Sequence, residues 1–385
     1  MDFNRPTIRK EYVPKMGNRL AGGDTVRTPD RVPSGVEVSL EMALKALLAR
    51  AEKENPHIAR LSLRLLSKGG ENIVLESSGA KHKGTVYKFN FLNSWPVLIA
   101  SSMGQEAFDA AVSAMKEKQS TREADNKELR QYFGDTAVIP QRSFVWNVPV
   151  SFDLAKSLMP KQKLHAVGAA ESIPVWVTMQ RKMDLRSDDV LSVTGYYPED
   201  QYNRPPGEKP TISDEAYDLA HEILIGHEPF GTMDHEKMDA IVAMYPDLGT
   251  LNMMCHESPA FRDRLADLTS RLISYAKETG KVLDLAGDNN LLLERKEKGW
   301  KTILLDVLPG IDIKFDDILP VLEKYKTADG PSRMRLGYAL NVLNTVRFSN
   351  ALAEISGVRE RITIDGLEQV PAAYWRENLP PLLQR

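Results

Sequence analysis

Residues 282–306 constrain the fold more than any other stretch of the chain. Val282-Leu283-Asp284-Leu285-Ala286-Gly287-Asp288-Asn289-Asn290 leads into Leu291-Leu292-Leu293, and a charged segment then leads into Ile303-Leu304-Leu305-Asp306. Apolar triplets bounded by turn-forming residues are too short for a helix and read as a pair of short strands. The charged stretch Glu294 to Trp300 reads as the turn between them. Asp284 and Asn289 stand before this pair and Asp306 follows it. Asp and Asn at such ends also serve ordinary turns.

Around this motif the pattern changes from strands to helices. Residues 1–36 carry scattered Pro, Gly, Lys and Arg without an apolar period and read as a flexible arm. A helix is expected over 39–54, with Ser39 as N-cap, Leu40, Ala43, Leu44, Leu47 and Leu48 as its stripe, and Pro56 marking its end. Strands are expected over 58–67, 72–76 and 85–91, with turns at 68–71 and 77–83. A helix follows over 104–118, with Phe108, Ala111, Val112 and Met115 on one face. The charged stretch Lys116 to Arg130 either continues it or loops out. Further strands are expected over 142–150 and 173–180. The polar, proline-bearing segment 181–210 reads as a linker or surface insertion. Helices then dominate, over 213–225, 235–244, 258–279 and 333–355. The expected class is α+β: a strand-rich N-lobe (37–180) and a mainly helical C-lobe (181–385, with an insertion at 181–234), enclosing a cleft.

Composition narrows the partners. The chain has 385 residues and a net charge of only -3, so bulk electrostatics gives no argument for nucleic acid or membrane binding. Its single cysteine, Cys255, cannot form an internal disulfide. No apolar run reaches membrane-spanning length, and the N-terminus lacks the apolar core of a signal peptide. A cytoplasmic location is expected, and an effector exported by a dedicated machine would have the same composition. His221, Glu222, His227, Glu228, Asp234, His235 and Glu236 crowd one segment, but their spacing matches no zinc signature, and surface placement explains them better. Cys255 and His256 adjoin and would not face each other on a helix. The Gly-x-Ser-x-Gly and Walker patterns are absent.

Four pieces fall in the order that phosphoryl transfer requires. Lys68-Gly69-Gly70-Glu71-Asn72 is a glycine-bearing turn whose backbone N–H groups can approach phosphates, although Gly-Gly is also a common hairpin turn. Lys88 lies within the apolar third strand, on the face of Val86 and Asn90 and opposite Tyr87, Phe89 and Phe91. It points either to solvent or into a cleft toward α/β-phosphates. Glu106 on the next helix, with Glu117 as runner-up, is a carboxylate that could pair with Lys88. Asp284 would orient an acceptor hydroxyl, while Asn289 and Asp306 would hold Mg²⁺ through hard oxygen ligands.

Asp284-Leu285-Ala286-Gly287-Asp288-Asn289 with Asp306 resembles the catalytic loop and metal-binding aspartate of the protein kinase-like superfamily, which includes aminoglycoside phosphotransferase-type kinases. Lys88 resembles that superfamily's nucleotide-binding lysine. The resemblance spans about Leu61 to Pro309 but rests on roughly a dozen residues. It departs at Val282-Leu283, where His-Arg or His-Gly is usual, and at Val307-Leu308, where Phe-Gly is usual, and no Ala-Pro-Glu follows. Asp288 is a second carboxylate that can serve as ligand or base. What the resemblance implies is a bilobal fold and ATP- and Mg²⁺-dependent transfer of a γ-phosphate to a hydroxyl; the acceptor is a protein or a small molecule, with a protein favoured. Nucleotide contacts fall to Lys68, Gly69, Gly70, Glu71, Asn72, Lys88, Glu106 and Gln180, with the backbone of the inter-lobe link that follows Val177-Thr178-Met179-Gln180-Arg181 meeting the adenine. A catalytically inactive binding module and a kinase-fold AMP-transferase are the alternatives.

Overall fold

The computed structural model describes residues 63–68, 72–77, 84–90, 95–100, 103–149, 172–183, 189–196, 198, 201, 207, 209–226, 234–285, 290–297, 299–305, 311–312, 330–364 and 366–378. The expected arm at 1–36 and helix at 39–54 lie outside these residues. The described residues are α+β and fall into two compact units, one reaching Glu123 and including Pro140–Met183, the other comprising Ala124–Ile139 and residues from 184 onward.

The first unit is an antiparallel sheet. Strands β1 (Leu63–Lys68), β2 (Asn72–Ser77), β3 (Thr85–Asn90), β4 (Gln141–Pro149) and β5 (Ser172–Arg181) lie in the order β1-β2-β3-β5-β4. Between β3 and β4 come the helices α1 (Trp95–Ala100) and α2 (Gln105–Phe133). Directly opposed residues of an antiparallel pair share a face. The register Val86↔Gln180, Lys88↔Thr178 and Asn90↔Trp176 therefore puts Lys88 on the face of Trp176. That face is covered by the helices, since Trp176 packs with Val97 and Met115, and Phe108, Ala111 and Val112 join the cluster. The opposite face buries Leu75, Tyr87, Phe89, Val175 and Val177.

Helix α2 runs through the charged stretch to Phe133 rather than stopping at 118. Its buried stripe continues as Met115, Arg122, Asp125, Leu129 and Phe133, at helical spacing. Two of these five are charged, which hides the stripe from an apolar count. Arg122 lays its guanidinium over the Trp176 ring at 5.4 Å. Gly134, at φ 87°, ends the helix, and its N–H closes on the Arg130 carbonyl.

The second unit is mainly helical. It contains β6 (Val190–Ser192), then α3 (Asp214–Ile225), α4 (His235–Met244), α5 (Asp247–Glu257) and α6 (Pro259–Thr279). Strands β7 (Lys281–Val282), β8 (Leu291–Lys296), β9 (Gly299–Leu304) and β10 (Ile311–Asp312) precede α7 (Gly330–Ser356) and α8 (Ala372–Asn378). Side chains of Ser213, Asp234 and Ser258 cap α3, α4 and α6 by accepting from Ala216, Lys237 and Phe261 N–H groups. The expected stripe Phe261, Leu265, Leu268, Leu272 and Tyr275 is buried.

Three features of this unit differ from the sequence expectation. The segment 181–210 contains β6, which pairs with β8 and is thus built into a sheet. Helix α5 was not expected, because Gly249, Thr250 and Asn252 are weak helix formers; Leu248, Leu251 and Cys255 carry its buried face. Strands β8 and β9 extend through the charged residues, pairing out to Lys296 opposite Gly299. At the outer end of this hairpin Arg295 and Lys296 are exposed, and there Arg295 pairs with Asp189 at 2.9 Å and lies over the Trp300 ring.

From residue 341 to 350 helix α7 is almost wholly buried although it carries Asn344, Thr345, Arg347, Ser349 and Asn350. Buried polar side chains persist where partners satisfy them. Asn350 donates to the Leu224 and Ile362 carbonyls and accepts from the Ile362 N–H, tying α3 and the segment after α7 to the helix. Arg347 donates to the Tyr217 hydroxyl at 2.9 Å.

Candidate active site

In the second unit, two nested strand pairs frame Asp284. The outer pair joins β7 to β10, with Val282 opposite Ile311 and Lys281 opposite Asp312. The inner pair joins β8 to β9, from Leu291↔Leu304 outward. Asp284 therefore lies on the connection from β7 to β8, and position 306 falls in the sequence between β9 and β10. At the base of the inner pair the Leu305 N–H donates to the Asn290 carbonyl at 2.9 Å. Asn290 and Leu305 are the sequence neighbours of Asn289 and Asp306. Asp288, Asn289 and Asp306 themselves lie outside the described residues.

The main chain at Asp284 belongs to no helix or strand, yet it is held on several sides. Thr345 Oγ1 donates to the Leu283 carbonyl at 2.9 Å and stands 3.5 Å from the Leu285 N–H. Asn290 Nδ2 donates to the Asp284 carbonyl at 3.0 Å, and the Gly195 N–H donates to the Leu285 carbonyl at 2.8 Å. Leu283 and Leu285 are buried while Asp284 is only partly so. A half-open carboxylate on a backbone fixed by its neighbours is the arrangement expected of a group that must be presented to a ligand. The residues that fix it, Gly195, Asn290 and Thr345, carry no signal in the sequence that singles them out. Two of them are remote from Asp284 along the chain, and no local pattern marks them.

In the first unit, Lys88 is 8% exposed and lies in a buried polar row on the sheet. Its face also carries Glu76, Asn90, Thr178 and Gln180, all buried. Glu76 lies one step diagonal to Lys88 on β2, and its carboxylate accepts from Lys182 Nζ at 2.7 Å. The Ser143 and Thr178 hydroxyls are 3.1 Å apart across β4 and β5. Burying such a row next to an apolar helix face costs solvation unless partners or a ligand satisfy it. Gln180 is 4% exposed, and its Oε1 has no hydrogen-bond partner among the described residues. At this end of β5 an open recess of about 390 Å³ is bordered by Gly84, Thr85, Gln141, Arg142, Gln180 and Arg181.

The other sequence candidates occupy distinct places. Glu106, in the first turn of α2, and Glu117, further along it, are both exposed. The buried carboxylate of that helix is Asp125, 3.6 Å from Lys281 Nζ. Lys68 and Asn72 end and begin the paired strands β1 and β2, and Gly69, Gly70 and Glu71 lie outside the described residues. His221 is buried against Tyr217 and Arg347, and burial followed by the arginine charge lowers its pKa to about 3. Asp234 caps α4 and His235 is exposed. Burial pushes the Cys255 thiol up to about 11, so it stays protonated at neutral pH. His256 is exposed. Among the described residues no helix is long and apolar enough to cross a membrane, and no group of three or more His, Cys, Asp or Glu side chains converges to hold a metal.

Comparison with protein-family models, with curated proteins and with solved structures yields no significant match.

Proposed function

We propose that the protein is an ATP- and Mg²⁺-dependent phosphotransferase with a bilobal kinase-like fold, acting on a hydroxyl acceptor. The observation that carries the reading is the pair of nested strand pairs β7–β10 and β8–β9. They put Asp284 on one connection and bring the sequence neighbours of Asn289 and Asp306 into a main-chain hydrogen bond. A phosphoryl-transfer site needs such a base and two oxygen ligands from adjoining loops. The first unit supplies independent support. Kinases carry the phosphate-binding lysine on the third strand, followed by a helix. Here Lys88 is on β3, buried in a polar row, with α1 and α2 next in the chain.

In this reading Mg²⁺-bound ATP supplies the transferable phosphoryl group and the metal charge that offsets the developing negative charge. Asp284 accepts or orients the acceptor hydroxyl proton. Asn289 and Asp306 hold the metal by oxygen, and Lys88 places its ammonium against phosphate oxygens. The unpartnered Gln180 Oε1 and the recess beside it suit an amino-bearing base at the end of β5. A protein is the favoured acceptor.

The departures at Val282-Leu283 and Val307-Leu308, where His-Arg or His-Gly and Phe-Gly are usual, favour a second reading. That reading is an inactive nucleotide-binding or scaffold module. Incubation with Mg²⁺ and γ-labelled ATP, followed by mass spectrometry of the protein and of added acceptors, tests the proposal. A mass gain of one phosphate supports it, an adenylate gain replaces it with AMP transfer, and no gain favours the inactive module.

A further inference from the structure

We propose that Thr345 and Asn344, adjacent residues on α7, are positioning residues that hold Asp284 in its working geometry. The inference rests on the phosphotransferase reading. Thr345 is 1% exposed, and its single hydroxyl reaches the peptide groups on both sides of Asp284. It donates to the Leu283 carbonyl at 2.9 Å and offers a lone pair to the Leu285 N–H at 3.5 Å. Only a hydroxyl combines donor and acceptor in so small a volume. Valine has the same shape and provides neither.

Asn344 acts one step further away. Its Nδ2 donates to the Gly195 carbonyl, and the Gly195 N–H in turn donates to the Leu285 carbonyl at 2.8 Å. The Tyr245 hydroxyl donates to Asn344 Oδ1 at 2.9 Å, which fixes which end of the amide faces Gly195. Residue 195 must be glycine for this contact, because a Cβ there would lie 2.3 Å from the Phe348 ring. Two adjacent side chains of the buried stretch 342–350 of α7 thus reach both ends of the Leu283–Leu285 segment by separate routes.

Helix α7 needs neither bond for its own backbone, and apolar residues at 344 and 345 would satisfy a plain core. What the two polar groups add is a fixed direction for the Asp284 side chain. Misplacement of a reacting group by about 1 Å costs on the order of 10²-fold in rate.

The test compares Thr345→Val with Thr345→Ser in the full chain. It uses Mg²⁺-ATP affinity by calorimetry, kcat and KM for ATP turnover, and hydrogen exchange at the Leu285 amide. Thr345→Val is expected to keep nucleotide affinity and KM, to lose kcat on the order of 10²-fold, and to exchange faster at Leu285. Thr345→Ser restores both rate and protection. Turnover within twofold of wild type in Thr345→Val overturns the proposal, as does Thr345→Ser losing as much rate as Thr345→Val. Where Thr345→Val fails to fold, Thr345→Ala serves in its place. A wild type without any turnover removes the phosphotransfer reading itself. Exchange at Leu285 then decides the clamp alone, and unchanged protection in the variant overturns it.

Discussion

The side-chain amide of Asn290 donates to the main-chain carbonyl of Asp284 at 3.0 Å, across the connection from β7 to β8. The same residue's own carbonyl accepts from Leu305, so Asn290 joins the start of the motif to its end. Asn290→Ala removes the first bond and keeps the second. The loss of one buried hydrogen bond costs about 1 kcal/mol of stability. With Asp284 as the group that orients the acceptor, kcat should fall by a larger factor than nucleotide affinity. Denaturant unfolding beside steady-state kinetics checks both.

Gly195→Ala is expected to be among the most damaging single substitutions in the second unit. The new Cβ would meet Phe348 Cγ at 2.3 Å and Phe348 Cβ at 2.7 Å. Forced overpacking of this kind costs about 1–3 kcal/mol, seen as a lowered Tm. Combined with Phe348→Ala, the loss should be smaller than the sum of the single losses, since the two positions share one contact. Thermal unfolding of the three variants measures the coupling.

His221 makes stability depend on pH in one direction. Its pKa is about 3 in the fold against an ordinary 6.5, chiefly through burial and then through the Arg347 charge. Below 6.5 the unfolded chain takes up a proton that the folded chain refuses, so this stability is present at neutral pH and is lost as pH falls toward 3. The slope approaches about 1.4 kcal/mol per pH unit for one such group. Carboxylates add their own slopes, so the informative quantity is the difference between wild type and His221→Gln from pH 7 to pH 4. Wild type should lose more stability over that range.

Cys255 should resist thiol reagents in the native protein. It is buried on α5, and burial holds the thiol near 11. Labelling at pH 8 should be slow before denaturation and complete after it. Rapid native labelling would mean that the α5 face opens readily.

Much of the architecture is legible because period and turn chemistry agree. Strands β2 to β5 and helices α3, α4, α6 and α7 fall close to where alternation, caps and glycines place them, while residues 58–62 of the strand expected over 58–67 lie outside the described residues. Lys88 shows where that logic stops. Both faces of β3 are buried, so apolar alternation does not say which way the lysine points; the register with Thr178 and Trp176 identifies its face. The far half of α2 is ambiguous in the sequence because its stripe uses Arg122 and Asp125. The motif at 284–306 is visible as a local pattern. Its supports, Thr345, Asn344 and Gly195, come from segments about 60 and more residues away and carry no local signature. Glu76 is equally inconspicuous, since only strand pairing brings it beside Lys88.

The most direct test of phosphotransfer is calorimetric titration of ATP with and without Mg²⁺, on wild type, Lys88→Met and Asp306→Ala. Metal-dependent binding to the wild type is the predicted result. Lys88→Met should weaken it by about tenfold or more, equal to about 1.4 kcal/mol. Asp306→Ala should abolish the metal dependence. No binding to the wild type at millimolar ATP, or equal binding in all three proteins with and without metal, would contradict the phosphotransferase reading.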